Sequence, residues 1–206
     1  MSVVATNIRP DILLPMSDGT WLCLPDSLQH LSSYILREQG DWFEDEGKFL
    51  RQLVQPGQRV IDIGANYGVY ALSLARRVGP SGRVWAFEPA ADTARHLADA
   101  RVANGTEWLW LEQKALSNHE GTAWLRKSGR SELNSMTAAA PGSPPPGDGE
   151  DVTLTTLDAA TVALGWGAID VVKMDAEGEE SRILEGGRRF FQDQRSEEHT
   201  SELQSH

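Results

Sequence analysis

Residues 60–68 read Val-Ile-Asp-Ile-Gly-Ala-Asn-Tyr-Gly, a β-branched run that carries an acid and then loosens into a turn with glycines at 64 and 68. A strand, a glycine turn and a helix in that order bring backbone N–H groups close to a ligand. Asp62 can hold a cationic or hydroxyl-bearing part of it. A second apolar run, Arg83-Val-Trp-Ala-Phe, ends at Glu88-Pro89. An acid at that distance from a glycine turn accepts hydrogen bonds from a ribose hydroxyl in doubly wound folds. A third run, Ala168–Met174, exits through Asp175, with Lys173 two residues earlier and therefore on the same strand face. Ligands of open α/β sheets lie outside the carboxyl ends of the strands, so the three acids are expected on one rim.

The pattern also bears on which cofactor is bound. A dinucleotide fingerprint, G-x-G-x-x-G, needs its middle glycine so that the backbone can approach a pyrophosphate. Here the turn is Asp62-x-Gly64-x-Asn66-x-Gly68, with a side chain at that place. Asp62 and Asn66 suit a ligand with an amino-acid end, and S-adenosylmethionine has one, together with a ribose for Glu88. An NAD-dependent oxidoreductase remains the alternative at this point.

The elements that must position these residues read as α/β. Residues 11–26 alternate around Gly19 as a hairpin (Ile12–Pro15 with Thr20–Leu24), and Asp26 or Ser27 could cap a helix through Leu36. A helical stripe runs from Asp41 to Val54, its aromatics Trp42, Phe43 and Phe49 expected to pack. After the first core strand come a helix over Val69–Arg77, the second strand, and a helix over Ala91–Ala103 ended by Asn104-Gly105. Glu107–Leu111 is the third strand, with Ala115 and Leu116 just beyond it. Thr122–Leu125 and Val152–Leu157 read as added antiparallel strands. Between them, 128–151 is rich in Gly, Pro, Ser and Ala and reads as a flexible insertion or a lid ordered by substrate, with a spacer at its centre and Asn134-Ser135-Met136 as a site wall. The fourth core strand is followed by a helix over Glu179–Leu184. The organisation is thus an N-terminal hairpin and helical cap (1–55), a cofactor domain (56–194) and a tail (195–206).

Composition narrows the function classes. A formal charge of −11 and a pI near 4.9 argue against a surface that grips nucleic acid. One cysteine, Cys23, excludes an internal disulfide framework and a cysteine-rich metal site. No apolar run approaches membrane-spanning length, so a cytoplasmic protein without membrane partners is expected. The oligomeric state is open. Arg195–His206 has no apolar periodicity and resembles a translated sequencing-adapter oligonucleotide; the natural protein is expected to be cut off near Gln194.

Val60–Gly68, Ala86-Phe-Glu-Pro89 and Val172-Lys-Met-Asp-Ala-Glu-Gly178, in that order, resemble the FkbM-type methyltransferases. Lys114-Ala-Leu-Ser117, Thr155-Thr-Leu-Asp158 and Ile183-Leu-Glu-Gly186 fill the intervals, so the likeness covers roughly residues 34–190. It implies a Rossmann-like class I methyltransferase sheet with helices on both faces, using S-adenosylmethionine to O-methylate a hydroxyl of a sugar, polyketide or other natural product. By the same resemblance Gly64, Ala65, Asn66 and Gly68 surround the methionine part with Asp62 behind it, Glu88 binds the ribose, and Ala115 and Leu116 lie near the adenine. Asp175 is the candidate general base, and Lys173 could pair with it or orient the acceptor. Asp175, Glu177, Glu179 and Glu180 also suit a metal, but acids at a helix start are stabilised by the helix dipole, so no metal is expected. His119 reads as a loop histidine. The family's later core strands should follow residue 194, so the sheet is expected to be incomplete at its C-terminal end, with an exposed edge and the prospect of an inactive cofactor-binding module.

Overall fold

The computed structural model describes residues 11–26, 34, 38, 45–127, 135–137 and 147–194. β1 (Asp11–Pro15) and β2 (Trp21–Pro25) pair as an antiparallel hairpin. The central sheet is built from β3 (Arg59–Ile63), β4 (Arg83–Phe87), β5 (Leu109–Glu112) and β10 (Val171–Met174), all parallel, in the order β10-β3-β4-β5. β3 and β4 are buried on both faces, as a parallel sheet covered on both sides requires, with Asp62 the one charged residue in the buried run of β3. Alternation along β3 divides the core. Val60 packs with Leu50, Leu72, Leu74 and Leu97, from α1 (Asp45–Leu53), α2 (Val69–Val78) and α3 (Ala91–Asn104). Ile61 and Ile63 face the other way, onto Leu157 and Ala160 of α4 (Leu157–Leu164), Ile183 of α5 (Glu180–Gly186) and Phe190 in the helical stretch 188–194. The expected α/β sheet with helices on both faces is therefore present.

A second sheet stands beside the first. β6 (Ala115–Leu116), β7 (Gly121–Arg126), β8 (Ser135–Thr137) and β9 (Gly149–Thr155) take the order β6-β9-β7-β8. Its inner residues Ala115, Leu125, Val152 and Leu154 bury Ala90, which fixes it against the segment that leaves β4. The insertion expected to be flexible thus contains ordered strands at both ends, because β8 and β9 complete the ladder of β7. Asn134 and Pro144–Pro146 lie outside the described residues, as do Trp42, Phe43, most of the expected helix through Leu36, and the tail 195–206.

Three further readings are corrected. The strand expected to reach Leu157 stops at Thr155, and α4 follows immediately. Thr156 caps that helix by accepting the Ala159 N–H, and Gly165 ends it in the left-handed region at φ 62°. These two signals, Thr before and Gly after an eight-residue run, were present in the sequence. The helical stretch over 188–194 likewise went unread. Phe49 is not core: Leu50 and Val54 turn inward, whereas Phe49 is 59% exposed. No helix among the described residues is long and apolar enough to cross a membrane.

Candidate functional site

The direction of chain progression reverses between β3 and β10. From β3 the chain crosses over α2 to β4 and then over α3 to β5, while β10 lies on the other side of β3. This is a topological switch point, where a crevice opens at the carboxyl ends of the strands. Asp62, Glu88 and Asp175 come from the ends of β3, β4 and β10, and each has a different environment.

Asp62 is fully buried, and neither carboxylate oxygen has a hydrogen-bond partner among the described residues. Its parallel-strand neighbour is Lys173, whose ammonium lies 3.4 Å from Oδ1 but off hydrogen-bond geometry. Burial raises the Asp62 carboxyl above its ordinary value; the Lys173 charge opposes that rise, and the charges of Asp175 and Glu46 add to it. Lys173 Nζ also lies 3.8 Å from Asp175 Oδ2 and 4.5 Å from the centroid of the Tyr70 ring. The Asp175 side chain is 61% exposed, at the mouth of the crevice.

Glu88 is buried without a cation. Its Oε2 accepts the Asn66 N–H and its Oε1 the Ala90 N–H, both at 2.9 Å. Burial pushes its carboxyl up to about 7 against those two donors, with the charges of Asp62 and Glu150 adding to the rise. Glu150 of β9 reaches the same rim, accepting the Ala91 N–H at 3.2 Å and pairing with Lys127 at 3.2 Å.

The glycine turn is tied to both sides. Gly64 sits at φ 76°, and a Cβ there would come within 1.9 Å of the Asp175 carbonyl oxygen, so only glycine lets the exits of β3 and β10 meet. Gly68, at φ 90°, would strike Leu97 and Leu72, which makes it a helix-packing glycine. The turn was expected to offer N–H groups to a ligand. Instead Gly64 and Ala65 both donate to the Phe87 carbonyl at 3.0 Å, and Asn66 donates to Glu88. What it leaves open is an acceptor, the buried Oδ1 of Asn66.

The remaining expected site residues are placed as follows. Ala115 faces Ala90 on the rim side of the second sheet. Leu116 points into the core with Ile61, Ile63 and Phe87, so its side chain is committed to packing. Glu179 accepts from Ser117 at 3.4 Å and pairs with Arg182. Glu180 accepts the Ala176 and Gly178 N–H groups, and backbone donors, its own N–H first, hold its carboxyl below the usual value. Both acids thus have structural partners. His119 is exposed and bonded to its neighbour Asn118. Two residues at the site were missed. Tyr70 was passed over because a tyrosine in an apolar helix reads as packing. Glu46 was passed over because nothing local shows that α1 lies near Asp62.

Acceptors without donors, a ribose-competent acid and blocked turn N–H groups together suit a ligand carrying a cation. They oppose a diphosphate, which would meet the Asp62 and Asn66 oxygens while the N–H groups of 64–66 are engaged by the β4 exit. A family model described as methyltransferase FkbM domain matches residues 62–200, about two thirds of the chain. Among solved structures, a methyltransferase from Geobacter sulfurreducens is 20% identical over 81% of this chain and 66% of that one, with a TM-score of 0.43. An S-adenosylmethionine-dependent O-methyltransferase from Thermotoga maritima is 25% identical over 51% of this chain, TM-score 0.33, and an rRNA methylase from Streptococcus thermophilus 18% over 34%, TM-score 0.31. The chain spans 41% and 40% of the lengths of these last two.

Proposed function

The chain belongs to the FkbM methyltransferase family, and from that premise we propose that it binds S-adenosylmethionine at the β3/β10 switch point and O-methylates a small hydroxyl-bearing acceptor. The observation that carries this reading is Asp62, a buried carboxylate beside a glycine turn, with neither oxygen hydrogen-bonded among the described residues. Asp62 and Asn66 Oδ1 hold the cationic amino-acid end, and Glu88 takes the ribose hydroxyls. The Ala115 segment bounds the adenine side through its small residue, since the Leu116 side chain is turned away. When bound, the cofactor supplies a methyl carbon on a sulfonium, open to in-line attack.

Asp175 is the group that moves a proton. Its carboxylate at the mouth of the crevice accepts the acceptor's hydroxyl proton, leaving the oxygen lone pair for the methyl carbon. The rims of β3 and β10 meet at Gly64, which holds the two halves of the site at a fixed separation, and such positioning is worth several kcal/mol in a two-substrate displacement. A sugar, polyketide or similar natural product is the acceptor class. The acidic chain, at −11, weighs against nucleic acid. The oxidoreductase alternative is disfavoured by the occupied turn N–H groups.

Calorimetry with S-adenosylmethionine or its demethylated product tests the reading. Micromolar binding is expected, weakened at least tenfold by Glu88→Ala; binding of NAD instead would overturn it. Activity of Asp175→Asn near that of the wild type would remove Asp175 as base. Cofactor binding without turnover on any hydroxyl acceptor would leave the chain a binding module.

A further inference from the structure

We propose that Lys173 is a positioning residue for the cofactor side of the crevice: paired across the strands with Asp62 and sealed beneath Tyr70, it keeps Asp62 an anion that can receive the ligand's ammonium. The inference rests on the reading of Asp62 as the acceptor of the cofactor's amino-acid end. It reassigns Lys173, which by strand position alone could equally have served Asp175 or the methyl acceptor.

Three observations separate these roles. The Lys173 side chain is 3% exposed, buried together with the Asp62 carboxylate beside it. Its nearer carboxylate is the buried one, at 3.4 Å, while Asp175, at 3.8 Å, is 61% exposed. An ion pair with an exposed partner is screened by water, whereas a pair between two buried groups governs the ionisation of both. Above Nζ lies the Tyr70 ring at 4.5 Å, close enough for a cation–π contact. Tyr70 is itself covered by α1, where a Cβ on Gly47 would come within 3.6 Å of its ring. α1, Tyr70, Lys173 and Asp62 therefore form a stack running from the N-terminal helix down to the sheet.

The charge balance explains why the pair is needed. Asp62 faces Lys173 and Asp175 from β10, Glu46 from α1 and Glu88 from the end of β4, while Tyr70 of α2 lies over Lys173. Every ionised group in that set except Lys173 is an acid. Without the ammonium, burial and the charges of Asp175 and Glu46 all favour a protonated Asp62, which cannot hold a cation. Lys173 acts through Asp62 and touches no reacting atom.

The test is cofactor binding, read by calorimetry with S-adenosylhomocysteine between pH 6 and 9. Lys173→Met is expected to weaken binding at least tenfold at pH 7. The ratio to wild type should shrink as pH rises, because Asp62 ionises again. Tyr70→Leu should weaken binding a few-fold in the same sense. Asp62→Asn/Lys173→Met, which removes both buried charges and so keeps the fold if Lys173→Met does not, should bind no worse than Asp62→Asn alone. Three results would overturn the proposal: unchanged affinity in Lys173→Met, a loss that does not vary with pH, or a double variant weaker than Asp62→Asn by a further tenfold. The underlying reading fails separately, if wild type binds no cofactor or if Asp62→Asn binds as well as wild type.

Discussion

Asp62 and Glu88 sit at the ends of adjacent strands, both buried, and their carboxylates are accommodated in opposite ways. Among the described residues Asp62 has a neighbouring ammonium and no hydrogen bond, and Glu88 has two backbone N–H donors and no cation. A charge partner preserves the anion while leaving its lone pairs free, which suits a residue waiting for a cationic ligand. Backbone donors occupy one lone pair on each oxygen and leave the others free, and burial pushes the carboxyl up to about 7 against them. Burial thus raises both carboxyls, and the two sides differ in what opposes the rise: the Lys173 charge at Asp62 and two backbone donors at Glu88.

The largest effect should come from removing the hinge between the two sides. Gly64→Ala places a Cβ within 1.9 Å of the Asp175 carbonyl oxygen at φ 76°, so the exits of β3 and β10 must separate. A loss of 4 kcal/mol or more in urea unfolding is expected, at the upper end of what single substitutions do. Next is Asp62→Leu, which strands the Lys173 ammonium in the core at a cost of about 3–5 kcal/mol. If Asp62→Leu proves neutral in urea, the pair is not the buried device described.

Glu88 sharpens the contrast through pH. Its folded value, about 7, lies above the ordinary 4.5, so the native state binds the extra proton between those limits. The resulting stability is fully present below about 4.5 and is lost as pH rises through 7, by about 3 kcal/mol. Glu88→Gln should flatten that slope in urea titrations at pH 5, 6, 7 and 8. Cofactor affinity should move the other way, rising up to tenfold per unit as pH climbs toward 7, because the ribose hydroxyls need the ionised carboxylate. The smallest effect belongs to Asp175. It is 61% exposed, so Asp175→Asn should change stability by less than about 0.5 kcal/mol while abolishing most turnover.

The chemistry-bearing acids were legible because they end local patterns. A β-branched run, a glycine turn and a proline after an acid each act over a few residues, so Asp62, Glu88 and Asp175 could be placed at strand exits from sequence. α3 was readable to within one residue because Gly105 terminates it in the left-handed region. What escaped was non-local. The turn N–H groups at 64, 65 and 66 looked available to a ligand, but the β4 exit consumes them. The family resemblance implied that Leu116 lies near the adenine, but β6 pairs with β9 and its side chain packs in the core. The insertion looked flexible by composition, yet β8 and β9 are held there by hydrogen bonds to β7, which composition does not register.

Sequence alone determined the order of the three acids, the glycine positions between them and hence the family, since each motif depends on neighbours along the chain. Tertiary structure alone decided what those acids do to one another. Lys173 stands beside Asp62 because β10 returns to pair with β3 in parallel register, and Tyr70 covers the pair because α2 packs on that face. Strand order and register depend on how distant apolar surfaces are buried together, and that burial turns a lysine two residues from one acid into the partner of another.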